Sequence, residues 1–306
     1  MKTRLLISLT LVSIIAFIPS VKAEEGKTYQ IRMERPEKPG KKFDVTVISN
    51  SVTSQQSIKD GAVVKESRLS FGGTLQCTEE VMAVGKNGEV TKSKFVVQKF
   101  TVTKTLGKEE ASFDALEPGQ ILIWEMDGDS MQITNNVKFG DPDSPRVLAY
   151  MFQRMNYVID MKEDVIFDTE TPRAIGQEWG VDLKNLKSGL PVGSLYEKIS
   201  EDKSSGQVKF EKLDASNPGA DAAVISAKFK LVAMAMKRME DAKLQNASLE
   251  IEFNGRFPLD MKIPPLSIET NVKENFTFDM KDEADEKGEI RNIREIVTKA
   301  TRKLKK

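Results

Sequence analysis

From Ile268 to Met280 the chain alternates with a period of two. Ile268, Thr270, Val272, Glu274, Phe276, Phe278 and Met280 fall on one phase, and Glu269, Asn271, Lys273, Asn275, Thr277 and Asp279 on the other. Successive side chains of an extended chain point to opposite faces, so this pattern predicts a long strand with one dry and one wet face. Leu249, Ile251 and Phe253 alternate with Glu250, Glu252 and Asn254 in the same way. So do Ala223, Ile225, Ala227, Phe229 and Leu231, and near the N-terminus Phe43, Val45 and Val47. Tight-turn dipeptides separate such runs: Asp60-Gly61, Asn87-Gly88, Asp127-Gly128 and Asn254-Gly255, with Asn217-Pro218-Gly219 and Pro264-Pro265 as further stops. Long strands buried on one face and joined by tight turns predict antiparallel sheet.

Two stretches carry helical periodicity instead. Ser144-Pro145 reads as an N-cap and first helical position, and Val147, Leu148, Met151, Phe152, Met155 and Ile159 then share a stripe, predicting a helix over 145–159. Ile290, Ile293, Ile296, Val297, Ala300 and Leu304 predict a second, basic amphipathic helix over 289–304. Such a helix either docks on the sheet or lies on an anionic membrane surface. Residues 231–243 mix strand and helix signals and read as a strand to about 234 followed by a looser or helical segment.

The expected fold class is therefore mainly β with minor α: a long antiparallel curved sheet or half-barrel covered by one or two helices. An apolar sheet face needs a cover, and a long twisted sheet must curl. The expected organisation is a signal peptide over 1–23, a β-rich domain over 24–280 and a charged C-terminal helix or tail over 281–306. The β-rich part divides into 24–140 and 165–280 on either side of helix 145–159. The two parts are either similar halves or one continuous sheet.

The signal-peptide reading rests on Lys2 and Arg4, the apolar run Leu5–Ile18 and the small-x-small site Val21-Lys22-Ala23. A bilayer-spanning helix needs about 20 apolar residues. This run is shorter, and no other reaches that length. The protein is expected to be exported, periplasmic or extracellular. It is not expected to be lipidated, because no cysteine lies at the cleavage site. Removing Lys2, Arg4 and Lys22 from 46 basic residues leaves 43 against 46 acidic, a net charge of −3. That balance argues against nucleic acid as a partner.

The chain has no histidine and one cysteine. Ser-His-Asp and Cys-His catalysis in their usual forms, His-containing zinc sites and any intramolecular disulfide are excluded. No phosphate-cradling glycine loop occurs. Cys77 shares a phase with Leu69, Phe71 and Leu75 and reads as a core thiol. Asp127-Gly-Asp129-Ser130 and Asp141-Pro-Asp143-Ser144 offer oxygens to calcium but lack a complete ligand loop, and read equally as a hairpin turn and a helix cap. No pair of acids can be nominated for hydrolysis, so catalytic residues, metals and cofactors are expected to be none. The positive hint is methionine. Met151, Met155, Met234 and Met236, with Phe152 and Trp179, are the candidate lining of an adaptable greasy cavity between sheet and helix, although ordinary core filling explains them too.

Gly26-Lys27-Thr28-Tyr29, Asn87-Gly88-Glu89-Val90 and Ile175-Gly176-Gln177-Glu178-Trp179 resemble an entry strand, a hairpin and a strand start of exported bacterial β-rich proteins of unknown function. The predicted element order also resembles the half-barrel of periplasmic lipoprotein carriers. That resemblance implies an apolar ligand and carries over no catalytic residue. The expected function is a non-enzymatic exported protein that holds an apolar or lipidic ligand, or a protein segment, between sheet and helix. The alternatives are an envelope interaction module with a filled core and a carboxylate-dependent hydrolase.

Overall fold

Among the described residues of the computed structural model, one open antiparallel sheet of 13 strands dominates. The structure describes residues 26–305 apart from 34, 87, 89, 107–108, 128–129, 136, 138, 140, 146, 149–150, 152–163, 165–166, 182, 184–195, 217–220, 237–242 and 282–286. The signal-peptide reading, Phe152 and Met155 lie outside the described residues.

The first wing of the sheet holds β2 (Lys42–Lys59), β3 (Ala62–Val84), β4 (Val90–Leu106), β5 (Glu109–Leu116), β6 (Ile121–Asp127) and β7 (Ser130–Asn135). The second wing holds β9 (Glu178–Gly180), β10 (Tyr196–Ile199), β11 (Ser205–Asp214), β12 (Ala222–Met236), β13 (Lys243–Pro258), β14 (Ser267–Lys281) and β15 (Lys287–Leu304). A separate two-stranded ribbon pairs β1 (Thr28–Tyr29) with β8 (Arg173–Ala174). Along the sheet the order is β7-β6-β4-β3-β2-β15-β14-β13-β12-β11-β9, with β5 beside β4 and β10 beside β12. Each wing is thus a meander, and the wings join where the first long strand meets the last. β15 pairs with β2 from Glu289↔Ile58 to Leu304↔Phe43. The two runs of strands form one continuous sheet.

The Asp60-Gly61 turn follows its sequence signal. Asp60 and Gly61 close the β2–β3 hairpin with φ of 52° and 77°, the left-handed pair that a two-residue loop requires. Asp127 and Ser130 pair where β6 meets β7, and the two residues between them, 128 and 129, lie outside the described residues. Asn254-Gly255 is not a turn. It lies inside β13, opposite Ile225 of β12 and Ile268 of β14. A Cβ at Gly255 would strike the rings of Phe253 and Phe257, which stack on each other at 6.1 Å between centroids. Glycine is needed there for packing.

The predicted helix over 289–304 is the strand β15. Its apolar residues fit a three-to-four spacing because the strand's alternation is broken by charge. Ile290, Ile296 and Ala300 share a phase with Arg294 and Arg302. The high β-branched content, Ile, Val and Thr, favours the pleated form. A central strand offers no amphipathic helix to a membrane, so that route to peripheral contact is withdrawn. The helix over 145–159 is observed in part: Ser144, Pro145, Val147, Leu148 and Met151 are helical. Its first intrahelical bond runs from Val147 N–H to Asp143 C=O at 3.1 Å. Asp143, one residue earlier than expected, is therefore the N-cap.

One face of the sheet, here called inner, carries two apolar cores. Phe43, Leu75, Cys77, Phe95, Phe100, Leu122 and Trp124 anchor the first wing, and Phe210, Ile225, Phe229, Leu249, Phe253 and Phe257 the second. On the seam between them the inner phase turns polar. Ser49, Thr298 and Thr270 stand side by side on β2, β15 and β14. The hydroxyls of Ser49 and Thr298 lie 3.0 Å apart.

Candidate functional site

Each wing of the inner face is closed by a different device. On the first wing, the helix beginning at Ser144 lies directly on β3. A Cβ built at Gly73 would come within 2.6 Å of Met151 Cε and 2.9 Å of Val147 Cγ1, so the absence of a side chain at Gly73 lets the helix settle there. Met151 is fully buried. The start of the helix is tied down by an ion pair from Lys104 to Asp143. The hydrogen bond from Lys104 to Asp143 is the main cause that raises its ammonium pKa above the ordinary lysine value.

The second wing has no such helix among the described residues. Its cover is irregular chain after β1, carrying Ile31 and Met33, and a turn over 167–170 before β8. Ile31, Met33 and Phe167 are buried in its core. The Phe167 ring sits 5.4 Å from those of Phe229 and Phe253. Asp164 ties the two segments together. It accepts hydrogen bonds from Met33 N–H at 2.7 Å and from the Thr169 hydroxyl at 2.5 Å, and pairs with Arg32 at 3.3 Å. Trp179, on β9, donates its Nε1–H to Phe167 C=O at 2.5 Å and lies 4.7 Å beneath the Arg173 guanidinium.

The expected cavity lining is therefore not one cluster. Met151 belongs to the first core and Trp179 to the second. Met234 and Met236 stand on β12, out of phase with Phe229 and Leu231, and Met236 pairs with Tyr196 of β10. Both described candidate side chains, Met151 and Trp179, are packed inside cores.

Among the described residues two ion networks lie on the inner face, one across the seam and one beside it between β14 and β15, and neither was singled out in the sequence. Arg302 donates from Nε to Glu79 at 2.8 Å, from Nη2 to the same carboxylate at 3.2 Å and from Nη1 to Glu37 at 2.8 Å. Ser93 donates to Glu79 at 2.9 Å, and Lys41 to Glu37 at 2.8 Å. The guanidinium stacks 3.6 Å from the Phe43 ring centroid. Beside the seam, Arg294 Nε donates to Glu274 at 2.7 Å. Glu79 and Glu274 were visible as charges on mostly apolar phases, whereas Arg294 and Arg302 lie in a stretch that reads as a helix.

Cys77 is buried, and that burial, with a smaller push from the Glu79 and Asp44 carboxylates, raises its thiol pKa far above the ordinary value. It is a core residue, buried away from solvent. Among the described residues no group of three or more His, Cys, Asp or Glu side chains is placed to hold a metal ion. No helix among them is long and apolar enough to cross a membrane.

The opposite, outer face carries a depression of about 420 Å³ on β11 to β15. It follows a row of direct cross-strand neighbours, Ser205, Lys230, Glu250, Lys273 and Glu295. The charges alternate in sign from strand to strand along it. This array was hidden in the sequence because alternation between strands becomes visible only once the hairpin registers are set.

No family model and no curated protein matches the chain. Among solved structures it is similar to lipovitellin, described in a study of lipid–protein interactions, at a TM-score of 0.35 and 6% identity over 85% of this chain and 25% of that one. The chain thus spans about a quarter of that structure's length. DynF, from the dynemicin biosynthesis pathway of Micromonospora chersina, aligns at 0.18 and 10% identity over 95% and 91% of the two chains. OpdQ of Pseudomonas aeruginosa aligns at 0.20 and 8% identity over 85% and 98%. At these scores none of the three carries an argument about function.

Proposed function

We propose that this is an exported, non-enzymatic binding protein whose inner sheet face receives an apolar or lipidic ligand, or an apolar segment of another protein, beneath its covering segments. The observation that supports this reading most is the inner face itself. It runs across both meanders, apolar on each wing and polar at the seam, and its cover is short helix, turn and irregular chain, held by side-chain packing and a few polar ties. Such a cover can be lifted segment by segment without breaking the sheet ladder. Met151 over Gly73 and Phe167 between Phe229 and Phe253 are the contacts a ligand would displace.

The same contacts favour a second reading, an envelope interaction module whose core is already full. The close fit of Met151 on Gly73 is the specific observation for it.

Native mass spectrometry with organic extraction, on residues 24–306 purified from the envelope of the source cell, separates the two. The binding reading predicts a reproducible apolar adduct that is released on unfolding and increased by Phe167→Ala or Met151→Ala, which vacate the space the ligand takes. A clean apo mass, together with no uptake of an added fatty acid or phospholipid, overturns it in favour of the filled module.

A further inference from the structure

The outer-face depression combines open volume, unpaired opposite charges and a rigid frame. Its side chains stand on the middles of paired strands, where backbone position is fixed on both sides. Lys228 pairs with Glu252 at 2.9 Å and Lys230 with Glu250 at 3.8 Å. The next two charges in the row, Lys273 and Glu295, are direct neighbours on β14 and β15. Among the described residues neither has an ion-pair or hydrogen-bond partner, and both line the depression. Beside them lies Asn271, whose Oδ1 is shielded from solvent without a hydrogen-bond partner. The depression therefore presents one ammonium, one carboxylate and one unsatisfied carboxamide at one spot.

Neighbouring strands are about 4.8 Å apart. Two charges anchored on adjacent strands suit a ligand whose own opposite charges are separated by about the same distance. We propose that this depression binds a small zwitterion with an ammonium at one end and a phosphate or carboxylate at the other. The anionic end sits on Lys273, the ammonium donates to Glu295, and Asn271 completes the shell. A volume of about 420 Å³ holds such a molecule and lies in the range of small-ligand sites. The paired Lys228–Glu252 and Lys230–Glu250 wall the site and keep its net charge balanced. A doubly charged anion or a bare cation therefore has less to gain than a zwitterion. The proposal concerns the face opposite the apolar cores and stands independently of the binding reading above.

The test is calorimetric titration of the full chain at low ionic strength with phosphoethanolamine and, separately, β-alanine, ethanolamine and inorganic phosphate. The expected result is saturable binding of phosphoethanolamine or β-alanine, tighter than that of ethanolamine or phosphate. The combined Lys273→Gln and Glu295→Gln substitutions should weaken it about tenfold or more. Lys209→Gln, on the same face outside the depression, should leave it unchanged, and circular dichroism of the double variant should match the parent. Co-sedimentation with phosphatidylcholine vesicles containing phosphatidylethanolamine distinguishes the source. Sedimentation lost in the double variant assigns the site to a lipid headgroup, and binding of the free zwitterion alone assigns it to a soluble ligand. Absence of saturable binding in both arms, or binding that the double variant leaves intact, overturns the proposal.

Discussion

The two wings solve one problem with different parts. Both are antiparallel meanders with an apolar inner phase, and both need that phase covered. The first wing uses a helix, brought close by the missing side chain at Gly73 and pinned at its cap by Lys104 and Asp143. The second uses a turn and irregular chain, wedged by Phe167 and tied by Asp164 to Met33 and Thr169. Where the wings meet, neither device operates, and the inner face turns to hydroxyls and buried ion pairs. The comparison teaches that sheet register and cover are separable. The ladder is continuous across both wings, while the covers are local.

Removing a seam charge should have the largest effect, because it acts on both wings. Arg302→Ala leaves Glu79 and Glu37 buried without their guanidinium, and the loss of one partner from such a network costs about 3–5 kcal/mol. Urea denaturation should show this as a lower midpoint by tryptophan fluorescence and by circular dichroism alike. A loss seen by only one probe would mean that the wings are not coupled through β15.

The cover substitutions come next and separate the wings. Phe167→Ala opens a cavity in the second wing at about 3–5 kcal/mol, and Gly73→Val overpacks the first at about 1–3 kcal/mol. Cys77 reports on the first wing alone. Its buried thiol should resist a disulfide exchange reagent in the native protein. Gly73→Val should speed its modification, and Phe167→Ala should not. Equal acceleration by both would erase the distinction between local covers and a shared ladder.

The smallest effect concerns the β11–β12 end of the second wing. Burial of Asp214 works to raise its pKa, but the Ser216 hydroxyl and amide and the Arg256 guanidinium outweigh it, so the folded pKa lies below the ordinary value. A carboxylate with a lowered folded pKa stabilises above its unfolded pKa and loses that contribution as pH falls through the folded one. Asp214→Asn should therefore lower stability at neutral pH and converge with the parent in strong acid. A constant difference across that range would contradict the assignment.

Much of the sheet was legible in the sequence because burial is one-sided. β12, β13 and β14 coincide with the alternation at Ala223–Leu231, Leu249–Phe253 and Ile268–Met280. The errors have physical causes. β15 was hidden because Arg294 and Arg302 occupy its inner phase, where Glu274 on the neighbouring strand and Glu79 and Glu37 from the far end of the chain pair with them. Gly255 looked like a turn because a glycine that makes room for Phe253 and Phe257 is indistinguishable, in one dimension, from a glycine that bends the chain. The candidate site was less legible. Met151 and Trp179 are buried as their apolar character suggests, but which core each enters depends on the β2–β15 junction, a pairing of the two ends of the chain that no local pattern encodes.

That junction is the centre of the account, and a cysteine pair tests it directly. Asn50 and Val297 are direct neighbours on the outer face of β2 and β15. Opposed Cα atoms in an antiparallel pair lie about 4.5–5.5 Å apart, within reach of a disulfide. Asn50→Cys with Val297→Cys should cross-link readily under mild oxidation. Asn50→Cys with Thr301→Cys, displaced by roughly 13 Å along the strand, should not. Cross-linking of the second pair in preference to the first, or of neither, would contradict a single sheet zipped by its terminal strands.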